Sequence, residues 1–207
     1  MGDDLISIDS ISNRFFIMRH GNSIANQQGL VVSDPGNGIA DYGLSELGKN
    51  QVLMSIQKDV LLDADTLIFC SDFKRARQTA ELVHQQLGCV HPVKCDQRLR
   101  ERFFGDYELG ADSIYEQVWQ RDLVNPNQQH SGVESVNKVV RRAAALLGEL
   151  NKNHQNEMIL LVAHGDILQI LQTTFAGKDA SQHRSIPHLQ TAEIRQLLYT
   201  HQSADSV

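Results

Sequence analysis

The sequence has little of what builds cross-links, metal ribbons or membrane spans. Three cysteines, Cys70, Cys89 and Cys95, are too few and too scattered for a disulfide framework, and no CxxC pair suggests a zinc site. A reducing compartment is the natural reading, and we expect the protein to be cytoplasmic. Aromatic residues make up 6% of the chain, with one tryptophan, and four prolines leave long stretches free to form regular elements. The longest apolar run, Met158 to Ala163, is far too short to span a bilayer. Asp3, Asp4 and Asp9 stand where a signal peptide would be basic and then apolar, so neither targeting nor anchoring is expected. Basic residues are also in deficit, 19 against 25 acidic, for a formal charge of −6. That balance argues against a nucleic-acid or anionic-lipid surface as partner. Repeats, heptads and low-complexity tracts are missing as well.

What remains is a chain of 207 residues, 41% hydrophobic and 21% charged, the composition of one globular domain. Three short apolar runs read as buried strands: Phe15 to Met18, Thr66 to Cys70 and Met158 to Ala163. Helical patterns lie between them. One starts after Ser71, read as its N-cap, with Ala76, Ala80, Val83 and Leu87 on one face and Gly88 as its stop. Another runs from about Glu134 to Leu150, burying Val136, Val140, Ala143, Leu147 and Leu150, and a third begins near Ser45. Strands alternating with helices predict an α/β fold, layered around a mostly parallel sheet. The segment 33–43, rich in Gly, Asp, Asn and Pro, and the connector 125–132 read as loops. The final residues, His201 to Val207, read as a frayed polar end.

Each predicted strand ends in residues suited to phosphate: Arg19, His20 and Gly21 after the first; Ser71, Asp72 and then Arg75 after the second; His164, Gly165 and Asp166 after the last. Ligands of open α/β sheets bind outside the carboxyl ends of the strands, so these segments are candidates for one pocket. Taken singly, each has a commoner structural role. A histidine at a strand end is usually a hydrogen-bonded structural residue, a helix-start arginine is usually solvated, and Glu101 within Arg98 to Arg102 reads as part of a surface ion-pair cluster. A metal reading with His20, Glu101, His164 and Asp166 as ligands lacks the usual HxH or HExxH spacings.

Taken together and in order, the segments resemble the histidine phosphatase superfamily from Arg14 to about Leu198. Arg19-His20-Gly21 with Ser23 and Asn26 resembles its opening motif, and Leu44 to Gly48 the helix start that follows. Ser71 to Ala80 resembles the phosphate-holding segment, Leu99-Arg100-Glu101 with Gly105 the stretch carrying the proton donor, Gly132 to Ser135 with Arg142 the next helix motif, and Val162 to Gly165 the second-histidine motif. The resemblance implies a three-layer, phosphoglycerate mutase-like sandwich forming a single domain over 1–207, with a cap insertion at roughly 105–131. It implies His20 as nucleophile, Glu101 as general acid, and Arg19, Arg75, Asn26, Ser23 and His164 as phosphate ligands. No metal or other cofactor is called for, because the two arginines take the metal's place. The expected partner is a small phosphorylated substrate or a phosphoprotein.

Asn22 and Ala25 stand where the mutase branch has Glu and Trp, which favours phosphomonoester hydrolysis over mutase transfer. A non-catalytic phosphate-binding scaffold is disfavoured because every chemical group is present. In the insertion, Tyr115 and Trp119 read as packing rather than a stacking platform, and Arg100, Arg102 and Arg121 as either a second anion site or solvated charge. His183, Arg184 and His188 are candidates for the pocket rim, but the commoner reading, a polar loop leading to an edge strand at Ala192 to Leu198, is preferred, and Cys70 reads as a core residue.

Overall fold

The computed structural model describes residues 11–58 and 61–198; the acidic N-terminal residues and His201 to Val207 lie outside them. Five strands form one sheet: β1 Arg14–Arg19, β2 Leu67–Cys70, β3 Lys94–Cys95, β4 Met158–Ala163 and β5 Ile194–Gln196, in the order β3-β2-β4-β1-β5. β1, β4, β2 and β3 run parallel, and β5 closes the β1 edge antiparallel. The three predicted strands are all present, β1 extended by one residue at each end and β2 starting one residue later.

Every residue of β4 is buried, because alternate side chains enter two different layers. Ile159 and Leu161 pack with Phe15, Ile17, Phe69 and residues of α6 Val136–Asn153 and α7 Gly165–Phe175. Met158, Leu160 and Val162 pack with Phe16, Met18, Ile68 and residues of α3 Glu46–Lys58 and α4 Lys74–Leu87. A helical layer on each side makes the expected α/β/α sandwich. The smaller helices are α1 Ile24–Gln28, α2 Pro35–Gly38 and α5 Ile114–Val124. The last lies within 105–131 and packs Val118 against Phe104, Val31 and Val133 in a small core of its own.

The helix punctuation is partly as read. Gly88 ends α4 in the left-handed conformation, φ 64°. Ser71 does not cap that helix. The N-cap position is Phe73, without a side-chain bond, and Ser71 Oγ instead accepts from the Phe73 N–H at 3.3 Å. Ser135 caps α6, its side chain accepting from Lys138 N. The loop 33–43 contains α2, started by Asp34 accepting from the Gly36 N–H and by Pro35.

The chain leaving β1 passes very close to the start of α3. A Cβ at Gly48 would sit 2.0 Å from Asn22 O, and one at Gly21 would sit 2.5 Å from Gly48 O, so both positions need glycine. Gly48→Ala is expected to cost about 1–3 kcal/mol, since backbone rather than a flexible side chain must move. The same shift displaces the segment that carries His20. Chemical denaturation checks the stability loss; an unchanged midpoint would mean the contact relaxes freely.

Candidate active site

The sheet register explains why the three phosphate-suited segments meet. Arg19 pairs with Ala163, and Cys70 with Val162, so the carboxyl ends of adjacent strands β1, β4 and β2 finish level. His20, Ser71 and His164 each follow at once, and α4 and α7 begin just beyond.

His20 is buried, and its Nδ1 lies 2.7 Å from Gly21 O. A carbonyl only accepts, so the ring hydrogen is on Nδ1 and Nε2 carries the lone pair. Arg75 Nε donates to that Nε2 at 3.1 Å. Burial, then the Arg75 and Arg19 charges, hold His20 well below the ordinary imidazole pKa, against the opposing pull of Gly21 O. The ring is therefore neutral at neutral pH.

His164 is buried beside it, ring centroids 5.2 Å apart, with Nε2 2.9 Å from Ser71 Oγ. With the Ser71 hydroxyl donating to His164 Nε2, the ring hydrogen sits on Nδ1, the nitrogen that has no protein partner. Burial and the charge of Arg75 also keep His164 well below the ordinary value.

Three buried side-chain nitrogens in this cluster have no partner: Arg19 Nε, Arg75 Nη1 and His164 Nδ1. Buried donors are normally satisfied, so a set of unpaired ones on neighbouring residues points to an anion. Other nitrogens of each guanidinium are held by the protein. Arg75 Nη2 donates to Val32 O at 2.8 Å, while Arg19 Nη1 lies 2.7 Å from His188 Nε2 and donates to Leu189 O at 3.0 Å. Burial pulls Arg75 down to about 10, where it is still charged.

Glu101 lies within the active-site wall, not in a surface ion-pair cluster. Its Oε1 accepts from Arg102 N at 2.9 Å and Ile167 N at 3.3 Å. Burial first, then the charge of Asp166, raises its pKa against those bonds and Arg75. Arg142 anchors the strand of chain that carries it, donating to the carbonyls of Arg98 at 2.6 Å, Arg100 at 2.9 Å and Glu101 at 3.3 Å.

These groups line a cavity of about 200 Å³ together with Asn26, Asp112, Tyr115, Trp119, Asp166 and His188. Asn26 and Ser23 both line this cavity, and they are bonded to each other. The Ser23 backbone N–H and hydroxyl both donate to Asn26 Oδ1, at 3.0 and 2.9 Å, and Asn26 N donates back to Ser23 Oγ. Ser23 is a capping-box residue that orients Asn26.

A model of the histidine phosphatase superfamily (branch 1) matches residues 15–207. The chain belongs to that superfamily. A Salmonella paratyphi C protein named "Probable phosphoglycerate mutase GpmB" is 31% identical over 176 residues, 83% of this chain and 78% of the relative. A Cronobacter sakazakii protein of the same name is 32% identical over the same spans. Among solved structures, the α-ribazole phosphatase of Shigella flexneri is 26% identical with a TM-score of 0.68, over 88% of this chain and 89% of that one. The mycobacterial glucosyl-3-phosphoglycerate phosphatase is 25% identical with a TM-score of 0.71, over 88% of each chain.

Several wall residues of this superfamily member escaped sequence reasoning. His188 read as loop, yet its ring meets Arg19, and burial with the charges of Arg19 and Arg184 lowers it to about 4. Tyr115 and Trp119 do pack together, stacked at 5.5 Å, and Tyr115 packs on Phe104; both also face the cavity. Arg100, Arg102 and Arg121 form neither a second anion site nor a solvated set. Arg100 pairs with Asp72 at 2.6 Å, Arg121 donates to Tyr107 Oη at 3.2 Å, and Arg102 is fully buried on Asp122 at 2.6 Å. His183 is fully buried as well, while the predicted edge strand is present as β5. Cys70 is buried in β2, 3.6 Å from Cys95 across the strand pair. Among the described residues no group of three or more His, Cys, Asp and Glu is arranged to hold a metal, and no helix is long and apolar enough to cross a membrane.

Proposed function

We propose that this chain is a phosphomonoesterase that works through a phosphohistidine on His20, with phosphate held by Arg19 and Arg75 rather than by a metal. The observation that carries the reading is the neutral His20, its Nε2 lone pair beside three unpaired buried donors on Arg19, Arg75 and His164.

A phosphoryl group seated on those donors presents its phosphorus to His20 Nε2. The N–P bond forms as the ester P–O bond breaks, and the guanidiniums and His164 Nδ1–H stabilise charge on the equatorial oxygens. Arg75 Nε must yield the Nε2 lone pair and turn to phosphate as this happens. Glu101, protonated at the raised pKa, gives its proton to the departing alkoxide. Water then attacks phosphorus on the opposite side from nitrogen, Glu101 takes a proton back, and inorganic phosphate leaves. Asn26 supports a phosphate oxygen from the wall.

The test is phosphate release from a panel of monoesters with EDTA present, combined with quenching during turnover to trap an acid-labile, alkali-stable phosphoenzyme. No release and no phosphoenzyme would reject the proposal. A mutase is the second reading, favoured by the names of the relatives. It would return label from a phosphoglycerate to another hydroxyl rather than to water.

The pH dependence has a worked sign. Activity needs neutral His20, whose pKa is lowered, and protonated Glu101, whose pKa is raised. The acid limb is therefore pushed down, and activity falls as pH rises through the Glu101 value. Glu101→Gln is expected to remove that alkaline limb and to lower kcat about 10²–10⁴-fold for alkyl esters. For 4-nitrophenyl phosphate, whose phenolate needs no proton, the loss should be much smaller. Equal losses on both would assign Glu101 a binding role instead.

A further inference from the structure

The phosphate end of the cavity is basic, but the space next to it is not. The two cations lining the cavity are Arg19 and Arg75; Arg75 is tied to protein partners through Nε and Nη2, and Arg19 through Nη1. Three acidic side chains line the same space: Glu101, protonated as the general acid in the reading above, and the carboxylates Asp112 and Asp166. Asp112, exposed just ahead of α5, is in no ion pair among the described residues. Asp166 Oδ1 accepts from Trp119 Nε1 at 2.8 Å, and its Oδ2 lies 3.3 Å from Arg102 Nη1. That arginine is held closer by Asp122, at 2.6 Å, so the charge of Asp166 is only partly offset.

We propose that the alcohol carried by the phosphate ester is either uncharged or cationic, a polyol or amino alcohol, and that Asp112 and Asp166 turn away esters with a carboxylate beside the phosphoryl group. This rests on the phosphate-ester reading above and names its substrate class. The single indole offers no platform for a larger aromatic group. Arg184 lies 3.6 Å over its ring centroid and Tyr115 stacks on it at 5.5 Å. A phosphoglycerate would place its own carboxylate in the space that Asp112 and Asp166 line. Of the further cations nearby, Arg98, Arg100 and Arg142 lie in a neighbouring groove paired with acids, Lys138, exposed, shares that groove, and Arg184, over the Trp119 ring, donates to Gln169 Oε1 and does not line this cavity. One like-charge neighbour in a half-wet cleft changes affinity by up to about tenfold.

Glycerol 3-phosphate and 3-phosphoglycerate form a matched pair, differing by a hydroxymethyl in place of a carboxylate; phosphoethanolamine adds a cation. We would measure kcat/KM for the three on wild type and Kd by calorimetry on His20→Ala. Glycerol phosphate and phosphoethanolamine should exceed phosphoglycerate by about tenfold or more in both measures. Asp112→Lys should narrow that ratio by about tenfold, and Asp112→Asn by less. Phosphoglycerate preferred by, or equal on, wild type overturns the inference. So does a ratio that neither Asp112 variant moves. If wild type hydrolyses none of the three but releases phosphate from other monoesters, the substrate class is overturned and the phosphatase reading stands; release from no monoester rejects that reading, and the Kd ratio still decides the inference.

Discussion

Replacing His20 by alanine is expected to lower phosphate release by about 10⁴-fold or more and to abolish the trapped phosphoenzyme. The size of the effect follows from what no neighbour can replace. Arg19 and Arg75 have no lone pair to offer, and His164 Nε2 is engaged by the Ser71 hydroxyl. Phosphate affinity should change far less, because the two guanidiniums and His164 Nδ1 remain. The Arg75 Nε that now donates to His20 is then free for phosphate, so binding could even tighten. The fold should persist, since the variant removes a buried polar ring from between two cations. Thermal melts, phosphate calorimetry and single-turnover release together check this. Undiminished hydrolysis in a folded variant would assign the nucleophile elsewhere.

The sequence makes the phosphate end legible because that end is local. Arg19-His20-Gly21 and His164-Gly165 each directly follow an apolar run, and Arg75 sits one turn into a helix with a clear buried face. Level strand ends then bring these short segments together with no further information. The leaving-group end is assembled differently. Asp112, Tyr115 and Trp119 come from the insertion, Asp166 from the start of α7 and His188 from the segment before β5. What joins them is side-chain contact across long sequence separations, as between Trp119 and Asp166 or Arg19 and His188. No periodicity encodes such contacts. Two misreadings share a cause. Ser71 has the residue type and position of an N-cap, and Arg102 has the setting of a surface charge, but tertiary partners claim both. Local propensity is a prior that long-range partners override.

Arg102 supports the second large expectation. Its guanidinium is fully buried, donating to Asp122 through Nη1 at 2.6 Å and Nη2 at 2.7 Å, to Asp166 at 3.3 Å and to Glu134 O at 2.6 Å. It links the insertion, through Asp122, to α7 and to the segment carrying Glu101. Arg102→Met keeps much of the volume but leaves two carboxylates without their cation, and should cost about 3–5 kcal/mol of stability. The penalty belongs to the stranded charges rather than to the lost pair. Arg102→Met with Asp122→Leu should therefore recover part of it, and a double-mutant cycle would read the coupling. Activity gives an independent sign. With Arg102 gone, the charge of Asp166 acts on Glu101 undiminished, and a like charge disfavours the carboxylate form. The alkaline limb of kcat/KM should move to higher pH in Arg102→Met. A merely looser structure would lower the profile without displacing that limb, and such a result would reduce Arg102 to a packing role.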